Sequence, residues 1–172
     1  RGMDPSAYQI SRHAASEMET LPPLPGLQAL QLGGGIWKVL KLSSLDPLRR
    51  LPALKYLSLT SLTVQDGSLR PLGDLPQLRN LHTANIFSVE ESAWLAAQHP
   101  DIQSPVLRPL FAETGNDTQG HPVFPCLICG GPKVMPTMLR APLWCPRCDV
   151  ARIRKHVAKW EAARSSATRR VP

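Results

Sequence analysis

Four cysteines stand in two pairs, Cys126-Leu127-Ile128-Cys129 and Cys145-Pro146-Arg147-Cys148. Fifteen residues separate the pairs, which hold all the cysteine of a chain of 172 residues. Two residues between thiolates let one tight turn present both sulfurs to a tetrahedral ion at about 2.3 Å, and two such pairs at this separation are the spacing of a structural zinc site. Gly130-Gly131 after the first pair suits that turn. Other chemistries fit less well. Two disulfides would need an oxidising compartment, and no charged-then-apolar export segment is visible. A redox pair normally works alone at the head of a helix. An iron centre uses the same four thiolates, so sulfur by itself does not select the metal. A catalytic zinc keeps an open position, which four thiolates close. The expectation is therefore one structural Zn2+ held by Cys126, Cys129, Cys145 and Cys148.

Nothing else in the chain composes a reaction centre. Ser, His and Asp are present without a nucleophile elbow or phosphate loop, and His99, His121 and His156 have no ligand set once the cysteines satisfy the metal. No enzyme and no small-molecule substrate are expected. No apolar run approaches the ~18 residues of a membrane helix. The expectation is a cytoplasmic protein that does not engage a membrane.

The elements around the cysteines come next. Asp149 is an N-cap for a helix in which Ile153, Val157 and Trp160 make one apolar stripe, while Arg152, Lys155, Lys159 and Arg164 occupy other faces. Basic character is confined to this end. Residues 1–120 hold 10 Lys/Arg against 11 Asp/Glu, and residues 121–172 hold 10 against 2. Packing of the stripe with solvated cations is the favoured reading. The alternative is a nucleic-acid-binding surface with phosphate contacts from Arg152, Lys155 and Lys159. Residues 122–172 resemble a zinc ribbon followed by a basic amphipathic helix.

Upstream, L-P-x-L-x-x-L-x-L occurs as Leu51–Leu59, as Leu24–Leu32, and in weakened form from Leu75 to Thr83. The prolines at 25, 52 and 76 are 27 and 24 apart, and one more step of 24 reaches Pro100. A fixed period in this range marks a solenoid. Ser44–Pro52 and Ser68–Pro76 further share S-L-x-P-L-x-x-L-P. Residues 21–112 resemble the leucine-rich repeats of bacterial proteins. The resemblance implies an α/β fold, with short parallel strands on a concave face and short helices or turns returning the chain. Where that family usually places Asn or Cys, this chain has Gly35, Leu62 and Ile86, so apolar packing must replace the internal amide ladder.

Strands are expected near 29–32, 56–59, 80–83 and 104–107, with every second residue inward. The outward positions Tyr56, Ser58, Asn80, His82 and Arg108 then form a small polar face suited to a protein partner. Ile36–Leu42 is expected to add a strand or a convex-side element. Ser88 with Glu91 makes a capping box that opens a helix ending before Pro100. Residues 113–121 read as a linker, and residues 1–20, opening Arg1-Gly2-Met3, as a flank outside the fold. The function expected is non-enzymatic protein interaction through the concave face, stabilised by the zinc site.

Overall fold

The computed structural model describes residues 7–11 (backbone), 24–34, 38–112 and 124–168. Four strands, β1 (Ala7–Ser11), β2 (Ala29–Gly33), β4 (Tyr56–Thr60) and β6 (Asn80–Thr83), form one sheet in the order β1-β2-β4-β6. Every pair in it is parallel. Leu30, Leu57 and Leu81 share one row, Gln31, Ser58 and His82 the next, and Ala29, Tyr56 and Asn80 a third. A second, two-stranded parallel sheet joins β3 (Leu40–Leu42) to β5 (Leu62–Val64). The element expected within Ile36–Leu42 is thus a strand, and its partner β5 begins at Leu62, one of the residues replacing the expected amide ladder.

The returns between strands explain the shared S-L-x-P-L-x-x-L-P blocks. Asp46–Arg50 and Arg70–Asp74 are 3-10 helices, each with Pro at its first turn. A 3-10 helix has three residues per turn, so side chains three apart eclipse one another. Leu45, Leu48, Leu51 and Leu54 fall at that spacing, as do Leu69, Leu72, Leu75 and Leu78, and each is fully buried. Their backbones follow suit: Leu48, Leu51 and Leu54 N–H each donate to the leucine carbonyl three residues earlier, and Leu72, Leu75 and Leu78 repeat this. Proline removes a donor the first turn does not need.

One backbone bond recurs along the chain. Lys55 N–H donates to Gln28 O, Arg79 N–H to Lys55 O and Gln103 N–H to Arg79 O, at 2.8, 2.9 and 2.7 Å. The steps are those of the prolines. The ladder then stops, with a single bridge between Asn80 and Gln103 in place of a fourth strand. Pro105 starts the 3-10 turn Pro105–Leu107, which sends Val106 and Leu107 into the core. The expected strand at 104–107, and with it an outward Val106, is corrected: Leu107 N–H bonds back to Ser104 O and leaves the sheet. At the other edge, β1 adds a strand to the sheet from a stretch to which the sequence reading gave no element.

Helix α1 (Val89–Gln98) starts at Ser88, whose hydroxyl accepts from Glu91 N–H at 3.2 Å. The reciprocal half of the expected capping box is replaced. The Glu91 carboxylate takes Leu69 N–H at 2.8 Å and Arg70 Nε at 3.0 Å, tying α1 to the preceding 3-10 turn. Gly73 makes room beside it, because a Cβ there would lie 2.5 Å from the Trp94 ring.

Two elements bind the cysteine segment to this body. Strand β7 (Leu110–Ala112) pairs antiparallel with β8 (Val134–Pro136), and helix α2 (Val150–Thr168) lies on α1. Trp160 of α2 is 2% exposed and belongs to the same apolar cluster as the leucines. His156, Trp160 and Ala167 are the buried residues of α2. Ile153 and Val157, expected beside Trp160, are half-buried. Among the described residues no helix is long and apolar enough to cross a membrane.

Candidate metal centre and candidate interaction face

Each cysteine pair closes a turn of its own. Gly130 N–H donates to Cys126 O at 2.8 Å, and Cys126 N–H to Gly131 O at 2.9 Å. Gly130 sits at φ +68°, in the left-handed region a side chain disfavours. The second pair is closed by a side chain: Asp149 Oδ2 accepts from Cys145 N–H at 2.9 Å, while its Oδ1 takes Arg152 at 3.2 Å. Asp149 O in turn receives Ile153 N–H, so the second turn runs directly into α2.

The two turns face each other. Sγ of Cys129 lies 3.4 Å from Sγ of Cys145, and Sγ of Cys126 lies 3.8 Å from Sγ of Cys148. All four sulfurs are within 4.8 Å of one another. A tetrahedron of sulfurs about 2.3 Å from its centre has edges of about 3.8 Å, so the spacing suits one ion. Charge points the same way. Backbone N–H groups of Cys129 and Ile128 pull the Cys126 thiol down to about 6. The Cys148 thiol is pushed up to about 12 by its bond with Cys129, by desolvation and by the charge on Cys126. Sulfurs this close ionise together only around a cation, and metal binding then releases their protons. The four residues fit a metal ion of thiolate preference. Cys126 and Cys145 are buried, and Cys129 and Cys148 exposed.

The support around the centre comes from residues outside the cysteine motif. Val134 and Trp144 exchange backbone bonds at 2.8 and 2.9 Å. Thr137, fully buried, donates its hydroxyl to Arg108 O at 2.5 Å, and Asn85 Nδ2 donates to Pro136 O at 2.7 Å. His156 meets Pro109 O at 3.0 Å and stands edge-on to Trp144. Burial pushes its imidazole pKa down, against the pull of the Pro109 carbonyl. His99 likewise has a structural partner, Gly73 O at 2.6 Å.

The expected concave-face residues divide. Tyr56 is 43% exposed, and Asn80 and His82 are exposed beside it. Ser58, between Gln31 and His82 in its row, is 4% exposed. Its short side chain lies below the longer ones on either side, so Ser58 is corrected to a buried position. Arg108 is exposed but stands outside these rows. With His99, Trp160 and Arg164 it lines a cavity of about 190 Å³ between the end of α1 and helix α2. Strands β2, β4 and β6 carry no Lys, Arg, Asp or Glu.

Of the three cations expected to contact phosphate, Lys159 reaches Glu90 of α1 at 2.8 Å and Arg152 reaches Asp149. Lys155 is exposed. Compared with protein-family models, with curated proteins and with solved structures, the chain finds no match in any of the three.

Proposed function

We propose that residues 21–112 form a short solenoid of leucine-rich repeats of the bacterial kind, and that its concave face binds a protein without catalysing a reaction. In this reading the four cysteines hold one structural Zn2+. The observation that carries it is the parallel sheet on which Tyr56 and Asn80 stand exposed in one row and His82 two rows on, with no charged side chain on its strands. Such a surface offers hydrogen bonds and one aromatic anchor, which suits a protein more than a polyanion. The recurring bond at steps of 27, 24 and 24 supports the repeat assignment. Two of the three candidate phosphate-binding cations already answer carboxylates within the chain, which favours the protein reading over nucleic acid.

The test starts with capture of a partner from nuclease-treated lysate of the source cell. The variant Y56A/N80A/H82A should keep its metal content and thermal midpoint and lose at least about tenfold in affinity for that partner. Unchanged affinity of the triple variant would overturn the assignment of this face. Zinc is tested separately by metal analysis of protein purified without added metal. One zinc per chain is expected, and metal-free protein with four titratable thiols and ordered cysteine turns would refute it.

A further inference from the structure

The tip of the first cysteine turn is apolar. Leu127 is 96% exposed and Ile128 84%, and Phe124, two residues before Cys126, is 55% exposed. A scattered surface leucine needs no explanation. Adjacent aliphatic side chains held outward on a clamped turn, touching almost nothing of their own protein, mark a contact site.

The segment that carries the tip is strongly basic. Residues 124–158 contain Lys133, Arg140, Arg147, Arg152, Arg154 and Lys155 against the single carboxylate Asp149, already bonded to Cys145 N–H and Arg152. Arg147 occupies the matching place on the second turn, whose sulfurs lie within 4.8 Å of those of the first. The tip therefore joins an aliphatic point to a positive field.

We propose that this tip docks on the surface of an anionic lipid bilayer. Leu127 and Ile128 enter the boundary between headgroups and acyl chains, while Arg147 and its basic neighbours meet the phosphates. Burial of apolar side chains and attraction of cations to anionic lipid are the two contributions that hold a peripheral protein to a membrane. Nucleic acid fits the charge but not the two most exposed side chains, because single strands are held by aromatic stacking, from which Leu127 and Ile128 gain little; the aromatic Phe124 is less exposed than either. A protein interface is anchored mostly by Trp, Tyr and Arg in packed pockets, and neither turn carries a Trp or Tyr. The lack of a membrane-crossing helix bears on spanning, not on this kind of attachment.

The proposal shares with the preceding reading only the two metal-clamped turns, so zinc content measured on every sample separates the two. The full zinc-loaded chain is sedimented with vesicles of equal parts phosphatidylcholine and phosphatidylglycerol, and with vesicles of phosphatidylcholine alone. Binding is expected to the first only and should fall steeply as salt is raised. L127S/I128S should weaken it by at least about tenfold with zinc retained. Arg147→Glu should weaken it while leaving the aliphatic tip in place. Equal binding to neutral vesicles, or undiminished binding by the zinc-loaded double variant, would overturn the proposal. So would no binding by the intact chain, which leaves the tip to an apolar pocket on a protein.

Discussion

Between residues 27 and 107 the chain closes on itself through side chains, with leucine after leucine fully buried from Leu45 to Leu78. Between residues 124 and 148 only Cys126, Pro136, Thr137 and Cys145 are buried, and shape comes from backbone bonds and converging sulfurs. A segment so small cannot gather enough apolar area to fold unaided. In the leucine region the rows recur in register from strand to strand, each covering the one before. The cysteine region does not repeat, and its four sulfurs converge within 4.8 Å, close enough to hold a metal ion; on the proposed zinc reading that ion supplies what burial does not. Helix α2 belongs to both: Asp149 closes the second cysteine turn, and Trp160 completes the leucine core.

Metal removal should have the largest effect and tests whether the contrast is real. Chelation should erase hydrogen-exchange protection in residues 124–148 and lower that of α1 and α2, while β2, β4 and β6 stay protected. If the sheet exchanged as fast as the cysteine turns after chelation, the two regions would be one cooperative unit. Truncating buried side chains is the next probe. Leu57→Ala should cost about 2–5 kcal/mol and Trp160→Ala about 3–5 kcal/mol in urea unfolding. Trp160→Ala should in addition weaken zinc retention, and Leu57→Ala should not; equal zinc affinity in both would remove α2 as the link.

The smallest expected effect is a pH dependence at His156. Its folded pKa is held below the ordinary imidazole value near 6.5 by burial, with Lys159 adding repulsion and Pro109 O opposing. The unfolded chain therefore takes up the proton more readily. The stability of the neutral form is present above about pH 6.5 and declines as pH falls toward the lowered folded value. Protonation of other groups in acid affects both proteins alike. The difference between wild type and His156→Gln should therefore change sign or shrink on going from about pH 7.5 to about pH 5.5. A constant difference would place the imidazole outside this linkage.

Much of the sheet was legible because its cause is local and repeated. The L-x-L phase sets which residues face inward, and the proline step sets the rows. The cysteine spacing likewise foretold that these four sulfurs would converge. What failed to show rests on geometry that composition does not record. Ser58 is outward by alternation yet covered by its taller neighbours. Pro105 reads equally well at the head of a strand or of a 3-10 turn, and the latter won when Val106 and Leu107 found the core. Glu91 had the position of a capping residue, but a backbone N–H 22 residues earlier, on Leu69, competed for it. The joining of β7 to β8, and of Asn85 to Pro136, links distant stretches with no motif on either side.

The seat of Trp160 also imposes an order of events on a growing chain. Synthesis proceeds from the N-terminus, so the leucine layers emerge and can stack while α1 still lacks its cover. Residues 96, 102 and 107, which line the same cavity as Trp160, stay wet until α2 arrives. That arrival follows the second cysteine pair by only twelve residues, from Cys148 to Trp160. The unfinished molecule thus carries a sticky end for the whole interval in which its cysteine turns are incomplete, a span in which aggregation competes with folding. On the proposed zinc reading, a shortage of the metal would lengthen that interval and register first as loss of yield during synthesis.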